Sequence, residues 1–133
     1  MTRLAGCIIR SDNSILLLHR NTAHSVQWEL PGGKIEDETA EQAARREVLE
    51  ELGVTVGSMQ YVGEAKFGHH PNAFHYTWYE AVITSGVPTP LEALFDAVRF
   101  VPISELESLQ LSANMQKLLP ILLSMNVHQS TAS

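Results

Sequence analysis

The sequence predicts an α/β domain in which a mixed β-sheet is sandwiched between α-helices. Extended, β-branched segments stand both before and after one strongly amphipathic helix. A second helix closes the chain, so both sheet faces have cover. The 133 residues suit one core rather than two, and no repeat, low-complexity tract or linker divides them. The expected organisation is a single domain over 1–125 and a loose tail over 126–133.

The elements follow in order. Leu4–Arg10 reads as a strand, Ser11-Asp12-Asn13-Ser14 as a turn and Ile15–His19 as a second strand, together a hairpin. Asn21–Gln27 is a polar loop. Trp28-Glu29-Leu30 is extended, because Pro31 disfavours helix in the residue before it. Gly32-Gly33 then break the chain. Thr39 and Gln42 form a capping box, and Ala40, Ala43, Ala44, Val48 and Leu52 make an apolar stripe that Gly53 ends, so a helix spans 40–52. Val54–Val56, Gln60–Phe67, Phe74–Thr84 and Ala97–Val101 read as extended. Gly68–Ala73 and Ser85–Leu94 read as loops, and Pro102–Leu106 as a helical turn. Ser112 caps a last helix over 113–124.

Composition narrows the function. Fifteen acids against nine Lys and Arg give a net charge of −6, which excludes the basic footprint of a protein that grips a nucleic-acid polymer. The single cysteine, Cys7, lies in an apolar run and reads as a small buried hydrophobe in a reducing compartment. The apolar run near the N-terminus is too short for a signal-peptide core or a membrane span, so a cytoplasmic protein without a membrane partner is expected. His69, His70 and His75 show no zinc spacing. Gly33-Lys34 lacks the rest of a phosphate-binding P-loop.

Seven acids, Glu36, Asp37, Glu38, Glu41, Glu47, Glu50 and Glu51, face only Arg45 and Arg46, so −5 of the net charge falls in that stretch. Helical spacing puts Glu47, Glu50 and Glu51 on one face, where like charges repel by a few tenths of a kcal/mol per pair. A solvated charged face is the ordinary reading of such a helix. Two features argue otherwise. Glu47 and Glu51 flank the core stripe, and the helix is entered through Leu30-Pro31-Gly32-Gly33, where a backbone carbonyl can approach a ligand. Three carboxylates and a carbonyl suit Mg²⁺ or Mn²⁺.

The stretch Gly32–Val54, GGKIEDETAEQAARREVLEELGV, resembles the Nudix box, G-x5-E-x7-R-E-U-x-E-E-x-G-U with U a bulky apolar residue. Ile8-Ile9-Arg10, His19-Arg20 and Trp28-Glu29-Leu30-Pro31 look like its MutT-like branch. One departure is visible: counted from the second glycine, the loop to Glu38 is one residue short. The resemblance implies the Nudix fold and metal-dependent hydrolysis of a diphosphate linkage in a nucleotide. It implies Glu50, Glu51 and the Gly32 carbonyl as metal ligands, and Glu47 as a ligand or general base. Arg46 would orient the glutamates, with Glu38 as a supporting acid.

Other positions carry weaker expectations. Arg20 aligns with a phosphate contact and equally suits a strand-end surface charge. Lys34 is a phosphate candidate, and Glu92, then Asp96, are the acids of the late loop that some members use. Asn114, in Ser112-Ala113-Asn114, resembles the asparagine that reads a purine edge, and Phe74 or Trp78 is a candidate to stack on a base. The expected reaction converts a nucleoside triphosphate, ordinary or oxidised, to monophosphate and pyrophosphate. Alternatives are ADP-ribose or another nucleoside-diphosphate derivative as substrate, and a ligand sensor without turnover. The expected partner is a small nucleotide, and the expected state a monomer or homodimer.

Overall fold

The computed structural model describes residues 1–132, with side chains to Met125. Nine strands and two helices occur in the order β1 (Thr2–Ser11), β2 (Ser14–Asn21), β3 (Val26–Glu29), β4 (Gly32–Lys34), α1 (Ala40–Leu52), β5 (Thr55–Val56), β6 (Gln60–Phe67), β7 (Phe74–Ala81), β8 (Ile83–Ser85), β9 (Phe95–Pro102) and α2 (Ala113–Ala132). A 3-10 turn, Ile103–Ser108, follows β9.

The sheet is mixed, as expected. β1 runs parallel to β7 from Thr2↔Phe74 to Ile9↔Ala81, and β6 extends that side antiparallel. β1 meets β2 only at the hairpin end, Arg10↔Ile15 and Ser11↔Ser14, and β2 then pairs with β3 and β9. The two halves diverge from that hairpin.

Both faces of β1 and β2 are buried, which is why their sequences read as continuous apolar runs rather than alternating ones. Ile8, Ile15 and Leu17 pack with Trp78, Met115, Leu118 and Leu122 on the α2 side. Cys7, Ile9, Leu16 and Leu18 pack with Val48 and Leu52 of α1 on the other. Each large side chain so enclosed stabilises the fold by about 1.5–3 kcal/mol. Burial pushes the Cys7 thiol up to about 12, consistent with a packing role.

Helix α1 begins as its sequence dictates. The Thr39 side chain accepts from Gln42 N–H at 3.1 Å, and the Gln42 side chain accepts from Thr39 N–H at 2.9 Å. Gly53 ends it in the left-handed region (φ 71°), its N–H donating to Leu49 O. The loop after β8 then crosses the helix end. Thr89 N–H donates to Leu52 O and Leu91 N–H to Glu51 O, each at 3.0 Å, which satisfies carbonyls that a helix terminus leaves open.

Three local expectations need correction. Gly32-Gly33 do not break the chain but form β4, paired with β1 through Ala5↔Gly33 and Gly6↔Gly32. The strand expected over 74–84 divides at Val82, because β8 leaves β7 to pair with β5. Finally, α2 continues helical to Ala132, past the expected end at 124; the side chains of the expected tail, 126–133, lie outside the described residues.

Candidate active site

Strand β4 and helix α1 build the acidic end of the site. Cys7 N–H donates to Pro31 O and Ile35 N–H to Arg3 O. The alternation of an antiparallel ladder therefore turns the peptide groups of Gly32 and Lys34 away from β1 and toward α1. There Gly32 N–H donates to Glu51 Oε1 at 2.7 Å, and Lys34 O accepts from Arg46 at 3.1 Å. The Gly32 carbonyl points the same way as its N–H. Gly33 leaves room for Glu47: a Cβ there would lie 2.6 Å from the Glu47 Cδ.

Arg46 is the hub of the acids. It grips Glu38 with Nε at 3.1 Å and with a terminal nitrogen at 2.6 Å, and also reaches Glu47 at 3.0 Å and Glu50 at 3.2 Å. The one-residue-shorter loop still delivers Glu38 to Arg46. These hydrogen bonds raise the Arg46 ionisation and hold the Glu38 carboxyl below the usual carboxylate range. The Glu47 carboxyl goes the other way, raised mainly by burial.

Glu51 is the acid of the box that the core encloses, with 3% of its surface exposed. Burial pushes its carboxyl up to about 9, and the negative charge of Glu47, Glu92 and Glu29 adds to that against the Gly32 hydrogen bond. Among the described residues no three His, Cys, Asp or Glu side chains close on one point, because Arg46 spans Glu47 and Glu50 while Glu51 is turned onto Gly32. The donor set nevertheless fits a hard divalent cation. It offers three carboxylates and an outward carbonyl, with an excess of local negative charge that a cation would relieve.

A cleft of about 500 Å³ opens beside this end. Gly32 and Gly33 border it, and Arg20, Phe74 and Asn114 line it, so three substrate-contact expectations converge on one cavity. Arg20 is held by Glu29 through paired hydrogen bonds of 2.9 and 2.8 Å, lies 5.2 Å from the Phe95 ring centroid, and keeps further N–H groups free of that pairing. Phe74 stacks on Phe67 at 5.4 Å between centroids. Asn114 donates to Ser112 Oγ at 3.2 Å, and its Oδ1 is buried without a partner. The Ser112 cap on α2 is long, 3.4 Å from Met115 N.

Other expectations fall outside the cleft wall. Lys34 contributes its carbonyl, while its side chain is exposed. Glu92 is exposed on the loop tied to α1, near enough to act on Glu47 and Glu51. Trp78 is buried in the core. Asp96 bonds His19 and Asn21 at 2.7 Å each. The sequence reading missed Glu29, which orients Arg20 and accepts from Gln27 at 3.0 Å, and Tyr76. The one available signal for Glu29 was its place in Trp28-Glu29-Leu30-Pro31; the β2–β3 pairing, which sets it opposite Leu18 and Gln27 opposite Arg20, is what brings it within reach of Arg20.

A helix carrying these acids thus stands beside a glycine strand and a cleft of about 500 Å³. A model of the NUDIX domain matches residues 1–122, and the chain belongs to the Nudix family. It is 42% identical over 64 residues to a MutT-like protein of Streptomyces ambofaciens, covering 47% of this chain and 40% of that one. It is 46% identical over 67 residues to the NAD-capped RNA hydrolase NudC of Escherichia coli, covering 45% of this chain and 25% of that one. The matched part is thus less than half the length of these relatives. Among solved structures, the MutT Nudix hydrolase from Burkholderia pseudomallei is similar with a TM-score of 0.71 at 28% identity, over 77% of this chain and 84% of that one. The E. coli ORF135 protein gives 0.75 at 26%, over 98% and 92%. No helix among the described residues is long and apolar enough to cross a membrane.

Proposed function

We propose that this chain is a divalent-cation-dependent pyrophosphohydrolase that cleaves a nucleoside triphosphate, ordinary or oxidised, to monophosphate and pyrophosphate. The observation that carries the reading is the double position of Gly32 and Gly33. They border the cleft on one side and touch Glu51 and Glu47 on the other. A nucleoside seated against Phe74 and Asn114 would lead its phosphates past Arg20 toward the acids.

Mg²⁺ or Mn²⁺ would be held by Glu50, Glu51, Glu47 and the Gly32 carbonyl. When bound, the cation neutralises diphosphate charge and lowers the pKa of water. The chain's own residues supply the rest. Arg20 attracts and orients phosphate. Arg46 fixes the rotamers of Glu47 and Glu50, with Glu38 as its anchor. Glu47, half-buried with its carboxyl raised, is suited to take the proton of the attacking water. The leaving group is a phosphate, so positioning and charge stabilisation carry the reaction and no serine or cysteine nucleophile is needed.

Pyrophosphate and phosphate release from dGTP, 8-oxo-dGTP, dCTP and ADP-ribose, with Mg²⁺ and with chelator, tests the reading. Pyrophosphate from a triphosphate in Mg²⁺ alone is the expected result. Hydrolysis of ADP-ribose only would move the substrate to nucleoside-diphosphate derivatives. Tight binding without turnover of any compound would replace the enzyme by a ligand sensor.

A further inference from the structure

Tyr76 takes no part in the hydrolysis just described. It stands on β7 with 3% of its surface exposed, yet it lines the cleft between the glycine strand and the nucleoside end. Its phenol fills the space in which two glycines would otherwise carry a Cβ. On Gly6 that atom would run into the hydroxyl, with Cε1 and Cζ at 2.9 Å. On Gly32 it would also meet the hydroxyl, with Ala5 O at 2.5 Å and Gly6 Cα at 2.7 Å. Two neighbouring strands therefore both give up a side chain where one hydroxyl sits.

Among the described residues that hydroxyl has no hydrogen-bond partner, although Tyr76 is buried and lines the cleft. Burial and the charges of Glu51, Glu29 and Glu47 raise its ionisation, so it remains an O–H donor. A buried donor without an acceptor costs stability unless something supplies one. The cleft that Tyr76 lines is the side from which a ligand's acceptor can reach it. On the nucleotide reading, Gly32, whose N–H is held by Glu51, marks the phosphate end, Arg20 lies on the phosphate path, and Phe74 and Asn114 mark the nucleoside end.

We propose that Tyr76 Oη donates a hydrogen bond to an oxygen of the bound nucleotide where its sugar joins its phosphate chain, and so sets the register of the diphosphate against Gly32 and Glu47. The assignment rests on the nucleotide reading of the cleft. It makes Tyr76 a substrate-binding residue outside the acidic box.

Tyr76→Phe keeps the ring against Gly6 and Gly32 and removes the donor. Steady-state kinetics on the triphosphate that the unaltered protein hydrolyses should give a KM raised about tenfold, with kcat changed by less than about threefold and the unfolding midpoint retained. Gly6→Ala, which crowds the hydroxyl without removing it, should raise KM in the same direction. An unchanged KM in Tyr76→Phe overturns the proposal. A 2′,3′-dideoxy substrate keeps O5′ and the α-phosphoryl oxygens and lacks the ring hydroxyls. If the KM penalty of Tyr76→Phe persists on it, the assignment stands; if the penalty vanishes, the acceptor is a ring hydroxyl away from the sugar–phosphate junction and the assignment is overturned. Should the unaltered protein hydrolyse no nucleotide, the hydrolase reading fails. Calorimetry with a nucleoside monophosphate then decides this one alone: equal affinity of both proteins overturns it, and weaker binding by the variant supports it.

Discussion

The Cα of Gly33 lies so close to the Glu47 carboxylate that a methyl group on it would stand 2.6 Å from both Cδ and Oε1. Glycine is needed there for space, since Gly33 is a strand residue of β4 without a positive φ. Gly33→Ala should therefore leave the fold near its original stability and displace Glu47. We expect kcat to fall at least about tenfold with KM little altered, because the carboxylate meets the reacting water rather than the ground-state substrate.

Glu51→Gln tests the cation set. The amide oxygen can still accept from Gly32 N–H, so the helix-to-strand tie survives while the charge is lost. Metal-dependent turnover should drop by about two orders of magnitude or more, with the circular dichroism spectrum unchanged. Full activity in this variant would remove Glu51 from the metal assignment.

Arg46→Lys separates charge from geometry. Lysine keeps one positive charge but cannot span Glu38, Glu47, Glu50 and the Lys34 carbonyl at once. Activity should fall about tenfold or more even though the net charge is the same. Recovery of full activity at higher Mg²⁺ would show that the fork is dispensable.

Thr39→Ala removes one half of the capping box and should destabilise the protein by about 1 kcal/mol in denaturant titrations. Glu47, Glu50 and Glu51 lie about two to three turns further along, so kcat should stay within about twofold.

Asp96 gives an acid-range prediction. Hydrogen bonds from Asn21 and His19 hold its carboxyl below the ordinary 3.8. The unfolded chain then binds the proton more tightly, so this contribution is fully present above pH 3.8 and is lost as pH falls through the lower folded value. Asp96→Asn should flatten the decline of the unfolding midpoint below about pH 4, measured by thermal scans across that range. An unaltered slope would assign the acid sensitivity to other carboxyls.

The parts legible in the sequence are those set by local rules. The capping box, the Ala44/Val48/Leu52 stripe and the Gly53 stop lie within one helix, and the structure reproduces the helix at 40–52. The burial of Glu51 was foreshadowed by its place beside that stripe. What escaped reading depends on distant chain. Gly32-Gly33 carried a turn signal, but the same residue type also serves where two backbones approach closely, and only the pairing with β1 decides between them. The split at Val82 follows from β5, some 27 residues earlier, taking β8 as its partner. Tyr76 looked like any aromatic strand residue, because its meaning comes from Gly6 and Gly32 on two other strands.

The loop tied across the end of α1 divides the chain by how much length it can absorb. Thr89 and Leu91 are fastened to the carbonyls of Leu52 and Glu51, and Phe95 N–H closes back on Glu92 O at 3.0 Å. Between Leu91 and Phe95 the residue count is therefore fixed at both ends, and an insertion would swing Glu92 away from the acids. Ahead of that knot, the exposed Val87 can take extra residues without moving it, whereas Gly86 is pressed against the backbone of Gly53 and Val54. Variation in length should gather at that tip, a few residues from a segment that admits none.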